Sequence, residues 1–326
     1  MRNMEYSLMK ILVTGGAGFI GSNVVDAYLE AGHDVYIMDN LFSGKWENIN
    51  PKAKFYLMDI RSAEVAKVFA KEKFDLVNHH AAQMSVPASV ENPLFDADVN
   101  VKGFVNLLEA AKDTGIKKVI FISSGGAIYG EAEEFPTSEK SPALPLSPYA
   151  ITKSVSEQYL AFYRHQYGLD YTILRYANVY GPRQIPHGEA GVVAVFMDRL
   201  LAGQACSIYH YPDEPRGMTR DYCFVGDIVQ ANLLALGKGS GKAFNIGTGV
   251  ETHTADLFVA VFAAMKKAKP DLAEELLKFN RGAARLGDLT KSCLLCEKAK
   301  QELGFAPKFS LSQGLGKTVA WRLGNK

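Results

Sequence analysis

The alternation of short apolar runs with helical patterns along the first half of the chain constrains the fold more than any other feature. The apolar runs predict strands at residues 10–15, 34–39, 55–59, 74–81 and 117–123. Helical patterns separate them at residues 18–32, 62–72 and 94–113. Continuous apolar strands that alternate with helices are typical of a parallel sheet whose two faces are both covered. We therefore predict an α/β fold with a doubly wound parallel sheet.

The regular alternation fades near residue 177, where a last predicted strand gives way to a segment rich in Gly and Pro. Beyond it the patterns are mixed, with helices predicted near 190–202, near 227–236 and after 253, and a strand near 243–246. We therefore place a domain boundary at this point. The prediction is a first domain over 1–177, joined by segments near 220–247, and a smaller C-terminal α/β domain over 178–326.

A glycine-rich turn, "VTGGAGFIG", follows the first strand and opens the first helix. Gly15 permits a tight turn, Gly18 lets the backbone approach a pyrophosphate, and Gly21 lets the helix pack closely on the strand. The helix N-terminus then faces the negative charge of the phosphates. Asp39 ends the second strand, where a carboxylate can bond an adenosine ribose and repel a 2′-phosphate. This context predicts a Rossmann-type site for NAD rather than NADP.

The segment "SPYAITK" places Tyr149 and Lys153 four residues apart, on one face of a predicted helix that a Ser-Pro step opens. A phenol titrates near pH ~10, but a nearby ammonium group and a cationic nicotinamide both favour the phenolate. The pair therefore predicts a proton acceptor for an alcohol whose hydride goes to NAD. Ser123 and Ser124 end an earlier strand, and either hydroxyl could share that proton.

Charge and composition exclude several other classes of function. The 326 residues carry a net charge of +1, so no electrostatic footprint for nucleic acid or an anionic membrane stands out. The first ten residues lack the apolar core of a signal peptide, and no run of about 18 apolar residues marks a membrane span. We therefore expect a cytoplasmic protein with no nucleic-acid or membrane partner.

Two features could indicate a metal site, and neither is sufficient. Cys293 and Cys296 form a C-x-x-C pair with no second pair and no nearby His, which makes zinc binding a weak interpretation. His79 and His80 end a predicted strand without a third ligand nearby, so packing or hydrogen bonding is the better interpretation. We predict no metal site.

Seven segments together resemble one known family. They are "TGGAGFIG", "DNLFSG", "HHAAQMSV", "NVKGFVNLLEAAK", "SSGGAIYGE", "SPYAITK" and "LRYANVYGPRQ". They are similar to the extended short-chain dehydrogenases/reductases, the NAD-dependent epimerase/dehydratase family, and within it to the UDP-glucose (UDP-galactose) 4-epimerases. The resemblance implies an NAD-binding Rossmann domain over 1–177, a nucleotide-sugar domain over 178–326, tightly held NAD and a homodimer.

The resemblance also implies roles for individual residues. Tyr149 would be the base, Lys153 its partner and a ribose ligand, and Ser124 the hydroxyl that assists them. The implied NAD contacts are Gly15, Gly18, Phe19, Ile20, Gly21, Asp39, Asn40, Ser43, Gly44, Asp59, Ile60, Ala81, Ala82, Gln83, Asn100, Tyr149, Lys153 and Tyr176. The implied contacts of a UDP-sugar are Ser124, Tyr149, Asn178, Val192, Val193, Arg220, Arg285, Asp288 and Ser292. The two arginines would bind the diphosphate, since a guanidinium fork matches phosphate oxygens in pairs.

The loop after the fifth predicted strand departs from the family pattern at two points. Many members carry a serine at the position of Gly125, whereas here the hydroxyl lies one place earlier, at Ser124. Dehydratases of the family carry an Asp-Glu pair, and decarboxylases a Glu, where this chain has Gly126 and Ala127. Elimination and decarboxylation by the usual route are therefore disfavoured, and 4-epimerisation is the expected activity.

The sequence leaves the sugar open. Ser292 lies where the family varies a pocket-wall residue, and a small residue there would leave room for an N-acetyl group. UDP-Glc/UDP-Gal and UDP-GlcNAc/UDP-GalNAc are therefore both candidate substrates, with UDP-glucuronate as an alternative. A net NAD(P)-dependent oxidoreductase and, more remotely, a non-catalytic NAD-binding regulator are the alternative functions.

Overall fold

The computed structural model describes residues 8–186, 191–284 and 289–324. Its strands are β1 Lys10–Thr14, β2 Asp34–Asp39, β3 Lys54–Leu57, β4 Leu76–His79, β5 Lys118–Ser124, β6 Asp170–Tyr176, β7 Asn178–Tyr180, β8 Ser207–His210, β9 Thr219–Phe224, β10 Lys242–Ile246, β11 Glu251–His253, β12 Asn280–Ala283 and β13 Lys291–Ser292. Its α-helices are α1 Phe19–Glu30, α2 Val65–Glu72, α3 Val86–Glu91, α4 Pro93–Ala97, α5 Gly103–Lys112, α6 Pro148–Tyr167, α7 Val192–Leu201, α8 Val225–Ala235, α9 Thr254–Ala268 and α10 Leu311–Arg322.

Seven strands form one parallel sheet in the order β10-β6-β5-β4-β1-β2-β3. The order reverses at β1, which pairs with β2 on one side and with β4 on the other. At such a switch point the connections leave the sheet in opposite directions and open a crevice at the carboxyl ends of the strands. The predicted doubly wound parallel sheet of Rossmann type is confirmed.

The strands form where they are predicted because continuous apolar runs supply a core on both faces of the sheet. Ile11 and Val13 of β1 belong to one buried cluster, and Leu12 between them belongs to the other. This follows from the geometry of a strand, in which successive side chains point to opposite faces. Side chains of α1 and α8 complete the first cluster, and side chains of α2, α5 and α6 complete the second.

The helix predicted over 94–113 is interrupted. It consists of α4, a π-helical turn over Asp98–Lys102, and α5. The turn carries Asn100, whose Oδ1 accepts from the Gln83 backbone N–H at 2.8 Å and whose Nδ2 donates to the Gln83 carbonyl at 2.9 Å. A π-turn inserts one residue into a helix and is frequent at functional sites. Apolar periodicity does not reveal such an insertion, so the sequence prediction missed it.

The other strands build a smaller α/β region next to the carboxyl ends of the main sheet. There β9 pairs with β7, β11 and β13, and β8 pairs with β12. A separate buried cluster forms its core, with Tyr180, Phe196, Phe224 and Phe258 among its members. The second half of the chain also returns to the main sheet, since β10 pairs with β6. The domain bounds proposed above stay a prediction.

Candidate active site

A cavity of about 750 Å³ opens at the carboxyl ends of the main sheet, at the switch point beside β1. Ligand sites commonly have this size, and doubly wound sheets bind their ligands at this place. The predicted site residues in its wall are Gly15, Gly18, Phe19, Ile20, Gly21, Asp39, Asn40, Ser43, Asp59, Ile60, Ala81, Ala82, Gln83, Ser124, Tyr149, Lys153, Tyr176, Asn178 and Arg220. The fold therefore brings most of the predicted cofactor and substrate residues to one site.

Other predicted residues do not line this cavity. Gly44 packs against the wall, because a Cβ there would lie 2.8 Å from Asp39 Oδ1. Asn100 is buried and fixes the backbone of Gln83, which does line the cavity. Of the predicted site residues that the structure describes, those outside the wall are Gly44, Asn100, Val192, Val193 and Ser292. Arg285 and Asp288 lie outside the described residues.

The glycine-rich turn has the geometry that a dinucleotide requires. Gly15 has a φ of +69°, and a Cβ there would lie 2.6 Å from the Ala81 amide nitrogen. A Cβ on Gly21 would lie 2.3 Å from the Gly15 carbonyl oxygen. A Cβ on Gly18 would approach only that same oxygen, at 3.2 Å. Packing thus requires glycine at 15 and 21, whereas Gly18 keeps the cavity side of the α1 N-terminus open to a ligand.

Asp39 ends β2 with its carboxylate buried at the cavity wall. Its Oδ2 accepts from the Ala17 backbone N–H at 3.0 Å, and its Oδ1 accepts from the Leu41 N–H at 2.8 Å. Burial raises the pKa of this carboxyl, and the two N–H donors lower it. Each oxygen keeps a lone pair for a further donor, such as a ribose hydroxyl. A bound 2′-phosphate would face this carboxylate directly, so the site fits NAD better than NADP.

Asp59 follows β3 among donors that keep it ionised. Arg61 donates to its oxygens from Nε at 2.9 Å and from Nη2 at 2.8 Å, and Asn40 Nδ2 donates at 2.8 Å. The Arg61 guanidinium is the main reason that the pKa of Asp59 is held well below its usual range. Arg61 itself lines the cavity and also pairs with Asp98 at 2.7 Å. The sequence prediction did not include Arg61, which has no motif beyond its position two residues after Asp59.

The start of α6 sets the direction of Tyr149 and Lys153. Ser147 is the N-cap, and its Oγ accepts from the Ala150 backbone N–H at 3.2 Å. Pro148 occupies the first helical position, where its missing N–H costs nothing. With the helix fixed at this end, Tyr149 and Lys153 both reach the cavity.

Lys153 is 4% exposed and lies beside the phenol. Its Nζ donates to the Ile122 carbonyl at 2.8 Å and lies 5.9 Å from the centre of the Tyr149 ring. Burial lowers the pKa of Lys153 to about 8, while Asp96 and Glu157 raise it. Because this pKa is above 7, the ammonium form predominates at neutral pH. The arrangement therefore supplies a positive charge next to the hydroxyl that must lose a proton.

The two serines at the end of β5 have different partners. Ser123 is buried, and its Oγ donates to Glu157 Oε1 at 2.6 Å. Ser124 lines the cavity, and its side chain lies near enough to Tyr149 to lower the pKa of the phenol. Burial raises the pKa of Tyr149 to about 12, and Ser124 acts in the opposite direction. Of the two hydroxyls, the one of Ser124 is therefore the one that can assist the phenol.

One of the two departures of this loop from the family pattern, the glycine at position 125, has a packing explanation. A Cβ on Gly125 would lie 2.5 Å from Leu294 Cδ1, so this packing leaves no room for a serine there. A Cβ on Gly126 would lie 3.3 Å from Asn178 Oδ1 and 3.9 Å from Ser292 Oγ. Gly126 therefore lies close against Asn178, and a side chain at this position would press on the Asn178 amide.

Arg220 lies in β9 and lines the same cavity. Its Nη2 donates to the Leu289 carbonyl at 2.7 Å, and its Nη1 donates to the Thr219 carbonyl at 2.9 Å. In the sheet register it faces Ser292 of β13. The two backbone carbonyls fix the orientation of the guanidinium at the cavity wall, and a guanidinium fork matches the oxygens of a phosphate in pairs.

Three cavity-lining residues carry a buried polar atom with no partner among the described residues: His80 Nε2, Arg183 Nη1 and Gln184 Oε1. Arg183 is anchored at its other nitrogen, Nη2, which donates to Asp26 at 2.6 Å. Gln184 is anchored by its Nε2, which donates to the Val179 carbonyl at 3.0 Å. Buried polar groups without partners are rare in native proteins, and their concentration here indicates a polar ligand. The sequence prediction missed all three, although Arg183 and Gln184 end the segment "LRYANVYGPRQ".

The described part of the chain also bears on metals and membranes. No group of three or more His, Cys, Asp or Glu among these residues could hold a metal ion. Cys293 and Cys296 are free thiols, and burial raises the pKa of each, to about 12 for Cys293. None of the helices in the described ranges is long and apolar enough to cross a membrane.

Comparison with known proteins places this geometry in a family. The profile of the NAD dependent epimerase/dehydratase family matches residues 11–247, which is more than half of the chain. The chain belongs to this family, so the resemblance given by its motifs is confirmed.

Individual relatives match nearly the whole chain. UDP-glucose 4-epimerase of Mycolicibacterium smegmatis is 46% identical, over 95% of this chain and 97% of the relative. The crystal structure of UDP-glucose 4-epimerase from Thermotoga maritima with UDP-glucose is 47% identical, covers 97% of this chain and 99% of its own, and has a TM-score of 0.90. UDP-glucose 4-epimerase of Thermus thermophilus in complex with NAD is 42% identical, with the same coverage and a TM-score of 0.88.

Proposed function

We propose that this protein is a nucleotide-sugar 4-epimerase that acts on UDP-hexoses with tightly bound NAD. The observation that carries the proposal is the placement of Tyr149, Ser124 and Lys153 in one cavity together with the glycine-rich turn and Arg220. The family and the names of the similar proteins support the same activity. One of the similar structures contains UDP-glucose and another contains NAD. The charged and glycine-rich lining of this cavity suits both ligands.

NAD would be held by the turn at Gly15 and Gly18, by Asp39 at the ribose and by Lys153. When bound, it supplies a hydride acceptor that returns the hydride within the same turnover, so it need not dissociate. Arg183 Nη1 and Gln184 Oε1, which have no partner in the part of the chain that the structure describes, would complete their hydrogen bonds on the ligands.

Proton transfer falls to the chain's own residues. Tyr149 takes the proton of the sugar 4-hydroxyl, Ser124 shares it, and Lys153 stabilises the phenolate. A phenol with a pKa raised to about 12 by burial is a poor base at neutral pH. The adjacent ammonium group and the positive charge of the oxidised cofactor oppose that rise, which restores a useful basicity. The same group then returns the proton to the sugar.

The nucleotide and the sugar of the substrate need different kinds of binding. A 4-epimerase must hold the nucleotide firmly while the sugar presents first one face and then the other. Arg220 would bind the diphosphate, and Arg285 and Asp288 stay predicted nucleotide contacts. Gly126, which lines the cavity beside Asn178, adds no side chain there that would restrict a sugar that has to turn.

The small residues at this place favour a second substrate, UDP-GlcNAc/UDP-GalNAc. Gly126 lines the cavity and has no side chain, and the small Ser292 lies next to it, outside the cavity wall. A bulky side chain at position 126 would take up cavity volume that an N-acetyl group needs. We therefore propose that the enzyme accepts the N-acetylated sugars as well as UDP-Glc and UDP-Gal.

Proton NMR of purified protein with UDP-Glc, and separately with UDP-GlcNAc, tests both proposals. With no added cofactor, we expect the 4-epimer to appear in each sample, because the NAD that co-purifies is regenerated at every turnover. A lack of turnover of either sugar after NAD is added would contradict the epimerase proposal for these substrates. Turnover of UDP-glucuronate instead, or stoichiometric consumption of NAD(P)H, would favour the alternative activities.

We also propose that the protein is a homodimer that associates through α6. Ile151, Tyr159 and Phe162 lie on one side of this helix at spacings of eight and three residues, and they are 47%, 36% and 49% exposed. Leu94, on the adjacent helix α4, is 83% exposed. Large apolar side chains grouped in this way commonly mark protein interfaces, and a second copy of the same face would cover them by two-fold symmetry.

Replacing Phe162 by Asp is expected to convert the dimer to a monomer, because it places a charge at the centre of the buried face. Light scattering coupled to size-exclusion chromatography measures the mass. Val259→Asp is the matched control, since Val259 is also 49% exposed but lies on α9. A wild-type monomer, or a dimer that survives the Phe162 change, would contradict the interface. Cytoplasmic location and the division at residue 177 stay predictions.

A further inference from the structure

Asp96 carries a buried carboxylate that the mechanism above does not use. It lies in α4, and none of its surface is exposed. Its Oδ1 accepts from Gln83 Nε2 at 2.7 Å and from Asn100 Nδ2 at 3.1 Å, and its Oδ2 accepts from Thr152 Oγ1 at 2.8 Å. All three donors are neutral. A charged group buried among neutral donors is costly, so its retention calls for a role.

The three donors connect separate parts of the site. Gln83 lines the cavity after β4, and Asn100 fixes the backbone of Gln83 from the π-turn. Thr152 lies in α6 between Tyr149 and Lys153, and its Oγ1 also donates to the Tyr149 carbonyl at 3.0 Å. A single carboxylate therefore joins the cofactor side of the wall to the helix that carries the reacting phenol.

The charge of Asp96 acts on the proposed catalytic pair. It raises the pKa of Lys153, whose burial has the larger and opposite effect, and it also raises the pKa of Tyr149. Glu157 is the other anion that raises the pKa of Lys153. Histidines 79 and 80 do not supply positive charge, since burial lowers the pKa of both, to about 3 for His80. Asp98, directly after α4, pairs with Arg61 and Lys102, and Glu91, before α4, is exposed to solvent.

We propose that Asp96 is a positioning residue for the proton transfer: its carboxylate fixes Gln83 and Thr152 in register, and its negative charge keeps Lys153 an ammonium group beside Tyr149. The catalytic meaning of this assignment rests on the proposed function, whereas the contacts do not. A phenol that gives and takes a proton in every turnover works best when neither form is strongly favoured. The negative charge of Asp96 disfavours the phenolate form of Tyr149. It also stabilises the ammonium form of Lys153, whose positive charge allows the phenolate to form.

Asp96→Asn tests the proposal with little change of shape. An amide can accept from Gln83 and Asn100 through its oxygen and donate to Thr152 Oγ1 through its nitrogen, so all three contacts can persist. Removal of the negative charge lowers the pKa of both Tyr149 and Lys153. We expect both limbs of the pH profile of kcat to move to lower pH, by roughly half a unit or more.

Two variants separate charge from structure. Glu91→Gln removes an exposed carboxylate at the end of α3 and should leave the profile in place. Thr152→Val removes the hydroxyl that bonds Asp96, the Tyr149 carbonyl and Asn100 but keeps the carboxylate, so it should change kcat or KM with a smaller movement of the limbs. A lower kcat for Asp96→Asn with both limbs unmoved would assign Asp96 a structural role and overturn the proposal.

A sugar-free titration distinguishes this inference from the proposed function. In NAD-loaded protein, the ultraviolet absorbance of tyrosinate is recorded against pH, and the same curve for Tyr149→Phe is subtracted. The remaining midpoint belongs to Tyr149 and should fall in Asp96→Asn. If the midpoint moves while no UDP-hexose is epimerised, the proposed function fails and the inference stands. If the midpoint is unchanged in an active enzyme, only the inference fails.

Discussion

Replacing Tyr149 by Phe should lower kcat by about a thousandfold and leave NAD bound, since general acid–base groups contribute roughly 10²- to 10⁴-fold. The change removes only the hydroxyl that lies beside Ser124 and Lys153 and keeps the ring that fills the wall. Initial rates of epimerisation by NMR give kcat. The amount of nicotinamide released from denatured protein gives the bound cofactor.

Tyr167→Phe is the control for this experiment. Tyr167 is the last residue of the same helix, is 48% exposed and lies outside the cavity wall. Wild-type rates for Tyr149→Phe would show that another group moves the proton. Loss of bound NAD in step with loss of rate would mean that Tyr149 holds the cofactor and would contradict its assignment as base. A non-catalytic regulator would keep its ligand binding and show no turnover in any variant.

The parts of the site that the sequence predicts are those fixed by short segments of chain. The turn at Gly15 and the pair at Tyr149 and Lys153 each depend on local geometry: a positive φ in the first case, and the i, i+4 spacing of a capped helix in the second. Asp39 is predictable for the same reason, since it ends a strand whose neighbour carries the turn. The sheet follows from apolar runs whose alternate side chains enter opposite cores.

The parts that the sequence does not predict depend on contacts between distant segments. In the sequence, Asp96 does not differ from the other polar residues of its segment. Its role depends on the packing of α4 on α6, which brings its carboxylate within hydrogen-bond distance of Thr152. The choice of Ser124 over Ser123 depends on which face of β5 each side chain takes, and hence on Glu157 beneath one of them. Arg183 becomes notable only because one of its nitrogens is buried and unpartnered.

The second large effect is expected at the glycine-rich turn. There, replacing Gly15 by Ala and replacing Gly18 by Ala should change stability and NAD affinity differently. Gly15→Ala forces a φ of +69° on alanine and places a Cβ 2.6 Å from a backbone nitrogen. Left-handed conformation and overpacking each cost about 1–3 kcal/mol, so we expect a loss of about 3 kcal/mol in the free energy of unfolding. Urea denaturation of cofactor-free protein measures it, because bound NAD would itself stabilise the folded state.

Gly18→Ala adds the same methyl group where the protein itself has room. Its Cβ would approach only the Gly15 carbonyl oxygen, at 3.2 Å, and Gly18 has an ordinary φ of −78° at the N-cap of α1. The free energy of unfolding of cofactor-free protein should therefore change by about 1 kcal/mol or less. The affinity for NAD, in contrast, should fall at least ~10-fold, because the methyl group lies where the pyrophosphate approaches. Isothermal titration calorimetry with NAD measures that affinity.

Unchanged NAD affinity would contradict the placement of the pyrophosphate, since Gly18 would then be free of any ligand. Equal destabilisation by both changes would contradict the distinction between a glycine that packing requires and one that the ligand requires.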